Sequence, residues 1–344
     1  MPLIFLTFAL CAVAADARAP EWRRLPSLPD HEGFAAPFAG VSHGVLLVAG
    51  GANFPHKKPW EGGQKFWYDT VFVLEQPDGV WQPAGRLLRP LAYGVCVTHN
   101  EGVICVGGGD AERHYADVFR LEWQRGRLVA TPLPPLPTPL ANACGALVGD
   151  TLYVAGGQAQ PDAPRVLKAA WVVDLAARVP AWKPLPPCPG AGRMLSVAAS
   201  CDGAFWVIGG VDLVVTQGGS VERRYLNDAF RFDPGTGWRA IAPLPHALAA
   251  APSPAAADAA GFVILGGDDG SQWLVAPDKH RGFSRQALRY DVRENQWAAV
   301  GELPAPRVTV PCVVWNQAWV VPNGEMRPGV RSPEVWAHIL PKPE

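Results

Sequence analysis

The chain has 344 residues, of which 49% are hydrophobic, and it contains 36 glycines, 36 prolines and 14 tryptophans. This composition suits a large buried core cut by many tight turns, and it excludes a disordered chain. The formal net charge is -1, from 30 basic and 31 acidic residues. Such a balance excludes the broad basic field that gathers phosphate backbones, so no nucleic acid is expected as a partner.

The chain begins with an apolar run that is too short to span a bilayer. The run from Leu3 to Ala15 is followed by small-residue cleavage sites such as Ala15-Asp16-Ala17. This pattern predicts a secretory signal peptide over residues 1–19 and a single mature domain over residues 20–344. We therefore expect a periplasmic or secreted protein without a membrane span.

Six cysteines remain after residue 19, and none of them forms a C-x-x-C pair, so no zinc or redox motif is indicated. Two of them, Cys96 and Cys105, flank the turn at residues 99–102 and should face each other across a hairpin. A disulfide in an oxidising compartment and a pair of buried free thiols both fit this position.

Apolar runs that end in paired glycines recur along the chain. The pairs end at Gly51, Gly108, Gly157, Gly210 and Gly267, and Asn323-Gly324 forms a degenerate sixth. Successive second glycines are 57, 49, 53, 57 and 57 residues apart. That spacing matches the period of roughly 50 residues that is typical of kelch repeats.

Each glycine pair is followed by a variable loop, a strand such as Asp117-Val-Phe-Arg-Leu, and, in most units, a tryptophan that opens a further strand. These tryptophans are Trp81, Trp182, Trp238 and Trp297, while the second unit has Leu128 at this place. Four short strands in each of six units predict an all-β, six-bladed kelch-type β-propeller. Its tryptophans are expected to pack in the core.

The last unit ends with a third strand at Glu334-Val-Trp-Ala-His-Ile, and no fourth-strand pattern follows it. The segment from Trp22 to Pro29 has the pattern of a fourth strand before any first strand has occurred. We therefore expect the N-terminal strand to pair into the last blade and close the ring.

Long loops between second and third strands should gather on the face where the chain passes between blades, which makes that face the default binding site. The links on that face carry Arg89, Arg193 and Arg307 near the starts of innermost strands. Arginines that converge on the central axis would bind a carboxylate, although solvated surface arginines fit the same positions.

The sixth loop runs from Asn323 to Arg331 as Asn-Gly-Glu-Met-Arg-Pro-Gly-Val-Arg. It places Glu325 directly after the glycine turn and Arg331 six residues later. The first can take a proton and the second can hold an oxyanion. A surface ion pair is the alternative.

This loop, together with Gly50-Gly-Ala-Asn-Phe-Pro55 and Trp60-Glu-Gly-Gly-Gln-Lys65, resembles the N-acetylneuraminate epimerase family, the kelch-type sialic acid mutarotases. The resemblance covers nearly the whole mature chain. The Gly-Gly-Ala-Asn-Phe-Pro blade comes first here and the Asn-Gly-Glu blade comes last, so the chain looks like a cyclically permuted mutarotase.

The resemblance implies an isomerase that interconverts the α and β anomers of N-acetylneuraminate, or of a related sugar acid, without a cofactor. It implies that Glu325 and Arg331 are the catalytic residues. The expected contacts to the small-molecule sugar acid come from Asn53, Lys65, Arg89, Arg193, Arg307 and Asn323.

Two other functions remain open for this fold. A copper radical oxidase also uses a kelch propeller, but it needs a tyrosine beside a cysteine and two histidine ligands, and the eight histidines here are scattered. A non-catalytic carbohydrate- or protein-binding propeller would use the same loops. Glu325 separates this second alternative from the enzyme, because a binding module needs no proton-transfer group.

Overall fold

The computed structural model describes residues 22–340, and the signal peptide predicted for residues 1–19 lies outside this range. The described chain forms six sheets of four antiparallel strands, and the innermost strands of neighbouring sheets contact each other around a central axis. The six-bladed all-β propeller predicted from the sequence is confirmed.

The strands of the first half, in chain order, are β1 (Trp22–Leu25), β2 (Phe38–Ser42), β3 (Val45–Ala49), β4 (Ala52–Asn53), β5 (Phe66–Trp67), β6 (Thr70–Leu74), β7 (Gln82–Arg86), β8 (Val95–His99), β9 (Gly102–Val106), β10 (Val118–Gln124), β11 (Arg127–Leu133), β12 (Cys144–Val148), β13 (Thr151–Ala155), β14 (Ala170–Asp174) and β15 (Lys183–Leu185). A 3₁₀ helix at Pro59–Glu61 lies between β4 and β5.

The strands of the second half are β16 (Val197–Cys201), β17 (Ala204–Val215), β18 (Val221–Asp233), β19 (Gly237–Ala240), β20 (Ala256–Asp258), β21 (Gly261–Gly267), β22 (Ser284–Asp291), β23 (Gln296–Glu302), β24 (Val313–Trp315), β25 (Ala318–Pro322), β26 (Glu325–Arg327), β27 (Val330–Arg331) and β28 (Val335–Ile339). Blade 1 has the strand order β2-β3-β6-β7, blades 2 to 5 follow in chain order, and blade 6 has the order β24-β25-β28-β1. Two-stranded ribbons, β4-β5 and β26-β27, project from blades 1 and 6.

The glycine pairs recur because every blade has two residues with positive φ after the first part of its second strand; in blade 4 they interrupt β17, which continues to Val215. The φ angles of Gly50 and Gly51 are 66° and 97°, and those of Asn323 and Gly324 are 63° and 110°, so the degenerate sixth pair keeps the conformation. The Gly51 N–H donates to the Leu91 carbonyl of the link into blade 2, and a Cβ on Gly50 would lie 2.3 Å from that oxygen. Glycine at this position therefore allows one blade to bond closely to the next.

One residue of each inter-blade link takes part in a closed ring of backbone hydrogen bonds, which we call the axial ring. Each residue has a φ between 50° and 66°, and each N–H donates to the carbonyl of the equivalent residue in the preceding blade, with N···O distances of 2.5–3.0 Å. The axial ring consists of Ala36, Tyr93, Asn142, Leu195, Ala250 and Thr309. The bond from Ala36 to Thr309 completes it between the first blade and the last.

The outer-strand tryptophans hold neighbouring blades together at the rim. The indole N–H of Trp81 donates to the Pro26 carbonyl at 2.7 Å, and the three other tryptophans make the same bond to the preceding blade at 2.8–2.9 Å. These side chains are therefore structural.

The N-terminal strand closes the propeller as the sequence predicted. Strand β1 pairs antiparallel with β28, from Trp22 opposite His338 to Leu25 opposite Val335. On the inner side, the Gly324 N–H of blade 6 donates to the Phe34 carbonyl of blade 1 at 3.1 Å. Both chain ends thus build the blade that carries the sixth loop.

Cys96 and Cys105 are direct partners across β8 and β9, which is the hairpin position expected from the sequence. Both are buried free thiols. Burial raises the pKa of Cys96 to about 12, so it remains a thiol at neutral pH.

Shortening a buried side chain of β1 should weaken ring closure. Leu25 is 5% exposed and packs against the last blade, so Leu25→Ala should lower the free energy of unfolding by about 2–5 kcal/mol in urea denaturation. Arg23→Ala, on an exposed position of the same strand, is the control and should stay within about 0.5 kcal/mol. Equal midpoints for the two variants would contradict closure by this strand.

Candidate functional site

A cavity of about 610 Å³ opens on the loop face of the propeller, on the axis. Its floor is formed by axial-ring residues, among them Tyr93, Asn142 and Thr309, and its walls come from the long loops of all the blades. A second, smaller cavity of about 70 Å³ is lined by axial-ring residues and by residues at the innermost strands. The volume of the cavity suits a ligand of small-molecule size.

The residue that follows each glycine pair occupies an equivalent position near the axis. In every blade this residue forms an antiparallel bridge with the residue before the axial ring, as Glu325 does with Val308. The six residues are Ala52, Gly109, Gln158, Val211, Asp268 and Glu325. The polar members, Gln158, Asp268 and Glu325, all line the cavity.

Glu325 and Arg331 lie together on the cavity wall. They are register partners in the ribbon β26-β27, and Arg331 Nη1 lies 3.0 Å from Glu325 Oε1. Oε1 also accepts the Gly329 N–H at 2.7 Å, which leaves Oε2 for a ligand. The two residues chosen from the sequence are thus brought into one site.

Arg331 is more enclosed than the sequence suggested. Its side chain is 2% exposed and its guanidinium packs 4.8 Å from the centre of the Phe54 ring. The short distance to Glu325 lacks hydrogen-bond geometry, so Nε and Nη1 have no hydrogen-bond partner among the described residues. A buried guanidinium whose N–H groups lack hydrogen-bond partners favours an adjacent negative charge.

The ribbon that carries this pair is held between the loops of blades 1 and 5. On one side Gly329 lies so close to Pro59 that a Cβ would be 2.7 Å from its ring. On the other side the Phe283 N–H donates to the Met326 carbonyl at 3.0 Å, and Arg327 donates to the Asp278 carbonyl at 3.2 Å. Neighbouring blades therefore fix the position of Glu325.

Lys65 is the predicted substrate-binding residue that the structure places on the cavity wall. Its Nζ donates to the Tyr93 hydroxyl at 3.1 Å and lies about 5 Å from the centres of the Trp67 and Tyr93 rings, at 5.2 and 5.1 Å. All three side chains line the cavity.

The three link arginines do not point to the axis, which corrects the expectation from the sequence. Arg193 and Arg307 are fully buried, and each pairs with an acid at the third strand of its own blade: Arg193 with Asp228 at 2.9 Å, and Arg307 with Glu334 at 2.9 Å. Arg89 forms the equivalent pair with Asp117 in blade 2. Since these guanidinium groups bridge strands within blades, none of them lines the cavity.

The two predicted asparagines also lie away from the cavity. Asn53 is fully buried; its side chain donates to the Gly33 carbonyl at 2.9 Å and accepts the Tyr68 hydroxyl at 2.8 Å. Asn323 is fully buried in the turn before Gly324, where its left-handed conformation is tolerated by asparagine. The Asn53 side chain thus supports the backbone of blade 1, while the side-chain atoms of Asn323 have no hydrogen-bond partner among the described residues, and neither asparagine lines the cavity.

Two histidines that sequence reasoning did not select line the cavity with opposite hydrogen-bonding character. His114 Nδ1 lies 3.0 Å from the Gln158 carbonyl and must donate to it, so Nε2 of the neutral ring is an acceptor. His280 Nδ1 accepts the Gly282 N–H at 3.1 Å, so Nε2 of its neutral ring is a donor. Burial is the main cause of a lowered pKa at both histidines.

Tyr225 and Asp268 form a further polar pair on the wall. The Tyr225 hydroxyl donates to Asp268 Oδ2 at 2.7 Å, and burial, followed by the charge of Asp268, raises the tyrosine pKa. The polar residue directly after a glycine pair was the sequence signal that could have found Asp268 and Gln158, because Glu325 occupies the same position.

Within residues 22–340, no group of three histidine, cysteine or acidic side chains is arranged to hold a metal ion.

No helix among residues 22–340 has the length and apolar character required to cross a membrane.

We predict that both cavity histidines stay neutral at pH 6.5, with His114 protonated on Nδ1 and His280 on Nε2. Folding lowers the pKa of both histidines, so near the ordinary histidine pKa of about 6.5 the unfolded chain binds more protons than the folded chain. The contribution of the two histidines to the free energy of unfolding therefore falls as the pH drops through this value. ¹⁵N–¹H correlation spectra of histidine-labelled protein, recorded between pH 5 and 8, measure the tautomer and the protonation state of each ring. A doubly protonated ring at pH 6.5, or the same tautomer in both histidines, would contradict the assignment.

Comparisons with known proteins support the resemblance over part of the chain. The family model described as N-acetylneuraminate epimerase matches residues 7–130. The N-acetylneuraminate epimerase of Yersinia enterocolitica is 39% identical over 124 residues, which cover 31% of this chain and 31% of that protein. The Salmonella enteritidis epimerase is 43% identical over 96 residues, covering 25% of this chain and 24% of that protein. The chain thus spans about a third or less of the length of these curated relatives.

The solved structure of YjhT matches the propeller with a TM-score of 0.63 and 14% identity, covering 81% of this chain and 87% of that one. This likeness shows the fold. The residues matched in sequence include Asn53, Lys65 and Arg89, whereas Glu325 and Arg331 lie beyond them. Over residues 7–130, therefore, the chain is similar to the N-acetylneuraminate epimerases, as the motifs of its first blade indicated.

Proposed function

We propose that this protein is an isomerase that interconverts the α and β anomers of N-acetylneuraminate or a related sugar acid. The observation that carries the proposal is the Glu325–Arg331 pair, at 3.0 Å on the wall of an axial cavity of about 610 Å³. The names of the relatives matched over residues 7–130 support the substrate class.

The reaction needs one proton to move between two oxygens of the substrate. Opening the ring removes the proton from the anomeric hydroxyl, breaks the bond between the anomeric carbon and the ring oxygen, and protonates the ring oxygen. Rotation in the open ketone form and reclosure then give the other anomer. Because both oxygens are bonded to the same carbon, a single carboxylate can take the proton from one and give it to the other.

Glu325 has the position that this role requires. Its side chain is 14% exposed, and its Oε1 is occupied by the Gly329 N–H and by Arg331. Oε2 is therefore the oxygen that takes and returns the proton. No electrons change hands in these steps, so the chemistry calls for no redox cofactor.

Arg331 acts mainly through Glu325. With 2% of its side chain exposed, it offers little surface to the substrate, and its charge instead holds Glu325 against the cavity wall. Its unpaired N–H groups add positive potential at the place where negative charge develops on the substrate oxygen. Arg331 is thus a positioning residue of this site.

We also propose that the blades are cyclically permuted relative to the epimerases and that the protein is exported. A permuted order is supported by the placement of the Gly50–Pro55 motif in the first blade and of the Asn323–Arg331 motif in the last. Export to the periplasm or the outside of the cell is supported by the apolar run and the small-residue cleavage sites at the N-terminus.

Replacing the proton carrier should abolish catalysis without abolishing binding. Glu325→Gln keeps the shape and hydrogen bonds of the side chain but loses its basicity, so anomer exchange should slow about 10²-fold or more. One-dimensional NMR of a freshly released anomer measures the exchange, and ligand titration measures the binding.

The matched control is Glu302→Gln, because Glu302 is an exposed acid on the outer strand of blade 5. It should exchange anomers at the wild-type rate. If Glu325→Gln did the same, the catalytic assignment would fail, and the non-catalytic binding propeller would become the better description.

The export proposal is tested by the mass of the native protein. Removal of the first 15 to 20 residues should give a mature chain that lacks the apolar run. Mass spectrometry of the protein from its own cell measures this directly, and an intact Met1 in the soluble mature form would refute cleavage.

A further inference from the structure

Lys65 differs from Arg331, which also lines the cavity, because it has no acidic partner, whereas Arg331 is paired with Glu325. Arg223 lines the cavity too, but it lies exposed on the long hairpin of blade 4, while Lys65 is half-buried. Among residues 22–340, no carboxylate lies within ion-pair distance of Lys65 Nζ, whose hydrogen bond goes to the Tyr93 hydroxyl. A positive charge is therefore available to a ligand at this point of the wall.

The ammonium group is held in a defined position. It lies 5.2 Å from the centre of the Trp67 ring and 5.1 Å from that of Tyr93, which is close enough for a cation–π interaction with both. The bond to Tyr93 uses one of its three N–H groups, so two remain for a ligand. The Tyr93 hydroxyl accepts this bond and keeps its own proton to donate.

The ribbon of blade 1 connects Lys65 to Glu325 and Arg331. In the ribbon β4-β5, Asn53 is paired with Phe66, so the antiparallel register places Lys65 opposite Phe54. The Phe54 ring contacts the Arg331 guanidinium at 4.8 Å, and Arg331 lies 3.0 Å from Glu325. Lys65, Phe54 and the Glu325–Arg331 pair therefore line one cavity on adjoining loops of blades 1 and 6.

We propose that Lys65, supported by Trp67 and Tyr93, is the subsite that binds the carboxylate of the sugar acid. This rests on the proposed function and names how the same cavity recognises its substrate class. In a 2-keto sugar acid the carboxylate is bonded to the anomeric carbon, so its binding group must lie beside the proton carrier. Lys65 binds one carboxylate oxygen as a cation, the Tyr93 hydroxyl donates to the other, and neutral sugars lack this contact.

The test compares the acid with its neutral methyl ester. NMR exchange rates are measured for N-acetylneuraminate and its methyl ester with the wild type, Lys65→Met, Lys65→Arg and Lys57→Met. Lys65→Met should raise KM for the acid about 10- to 100-fold, the scale of one charge-assisted hydrogen bond, while kcat changes less and the ester is unaffected. Lys65→Arg should restore most of the affinity. Lys57, an exposed lysine of the same loop outside the cavity, is the control and should have no effect.

Two results would overturn the subsite: an unchanged KM for the acid in Lys65→Met, or equal losses for the acid and the ester in a variant whose thermal midpoint matches the wild type. A different result would count against the proposed function, namely a wild type that does not accelerate exchange of any sugar acid. Calorimetric binding of the acid and the ester to the wild type and Lys65→Met still tests Lys65 in that case. If the wild type then bound the acid no more tightly than the ester, the carboxylate subsite would be wrong.

Discussion

The axial ring of six backbone hydrogen bonds is the constraint on which the rest of the propeller depends. Each of its residues is a non-glycine held at a φ of 50–66°, a conformation that costs on the order of 1 kcal/mol or more and persists only where the surroundings enforce it. The innermost strand follows each ring residue, and the bridge to the residue after the glycine pair precedes it. Through these bridges, the ring fixes the positions of the six residues that follow the glycine pairs, and Glu325 is one of them.

Ring closure and the site are parts of the same structure. Glu325 and Arg331 lie in blade 6, which is completed by β1 from the other end of the chain. The partners that enclose the pair, Phe54 and Pro59, belong to blade 1 and meet blade 6 only when the ring is closed. Loss of closure would therefore separate Arg331 from its aromatic neighbour before most of the individual blades lost their own hydrogen bonds. The catalytic geometry thus depends on the joint between the two ends of the chain.

The sequence predicted the fold well because a propeller repeats its local signals. The glycine pairs, the outer tryptophans and the unpaired fourth-strand pattern at Trp22 each report a backbone requirement that recurs in every blade. The sequence predicted the link arginines poorly, because a side chain at the start of a strand can point either to the axis or into its own blade. An acid in or directly before the third strand decides between these two directions: Asp228 for Arg193 and Glu334 for Arg307, 35 and 27 residues away. The charge of each arginine is satisfied inside its blade, and the pairing depends on three-dimensional contacts that spacing alone does not show.

The same distinction between local and non-local contacts explains which parts of the site could be found from the sequence. Glu325 and Arg331 are partners across a two-stranded ribbon only a few residues long, so their contact is set by a short turn within one motif. His280 and Lys65 reach the cavity from the loops of two other blades, and their hydrogen-bonding states are set by Gly282 and Tyr93 in the folded structure. A motif can therefore identify the group that moves a proton. The groups that select the substrate come from loops of different blades, and only the folded structure shows which of them lie together at the axis. Since the axial ring holds those loops at fixed radial positions, a loop substitution that keeps the contacts of Pro59, Asp278 and Phe283 with the sixth loop can alter substrate recognition without displacing Glu325.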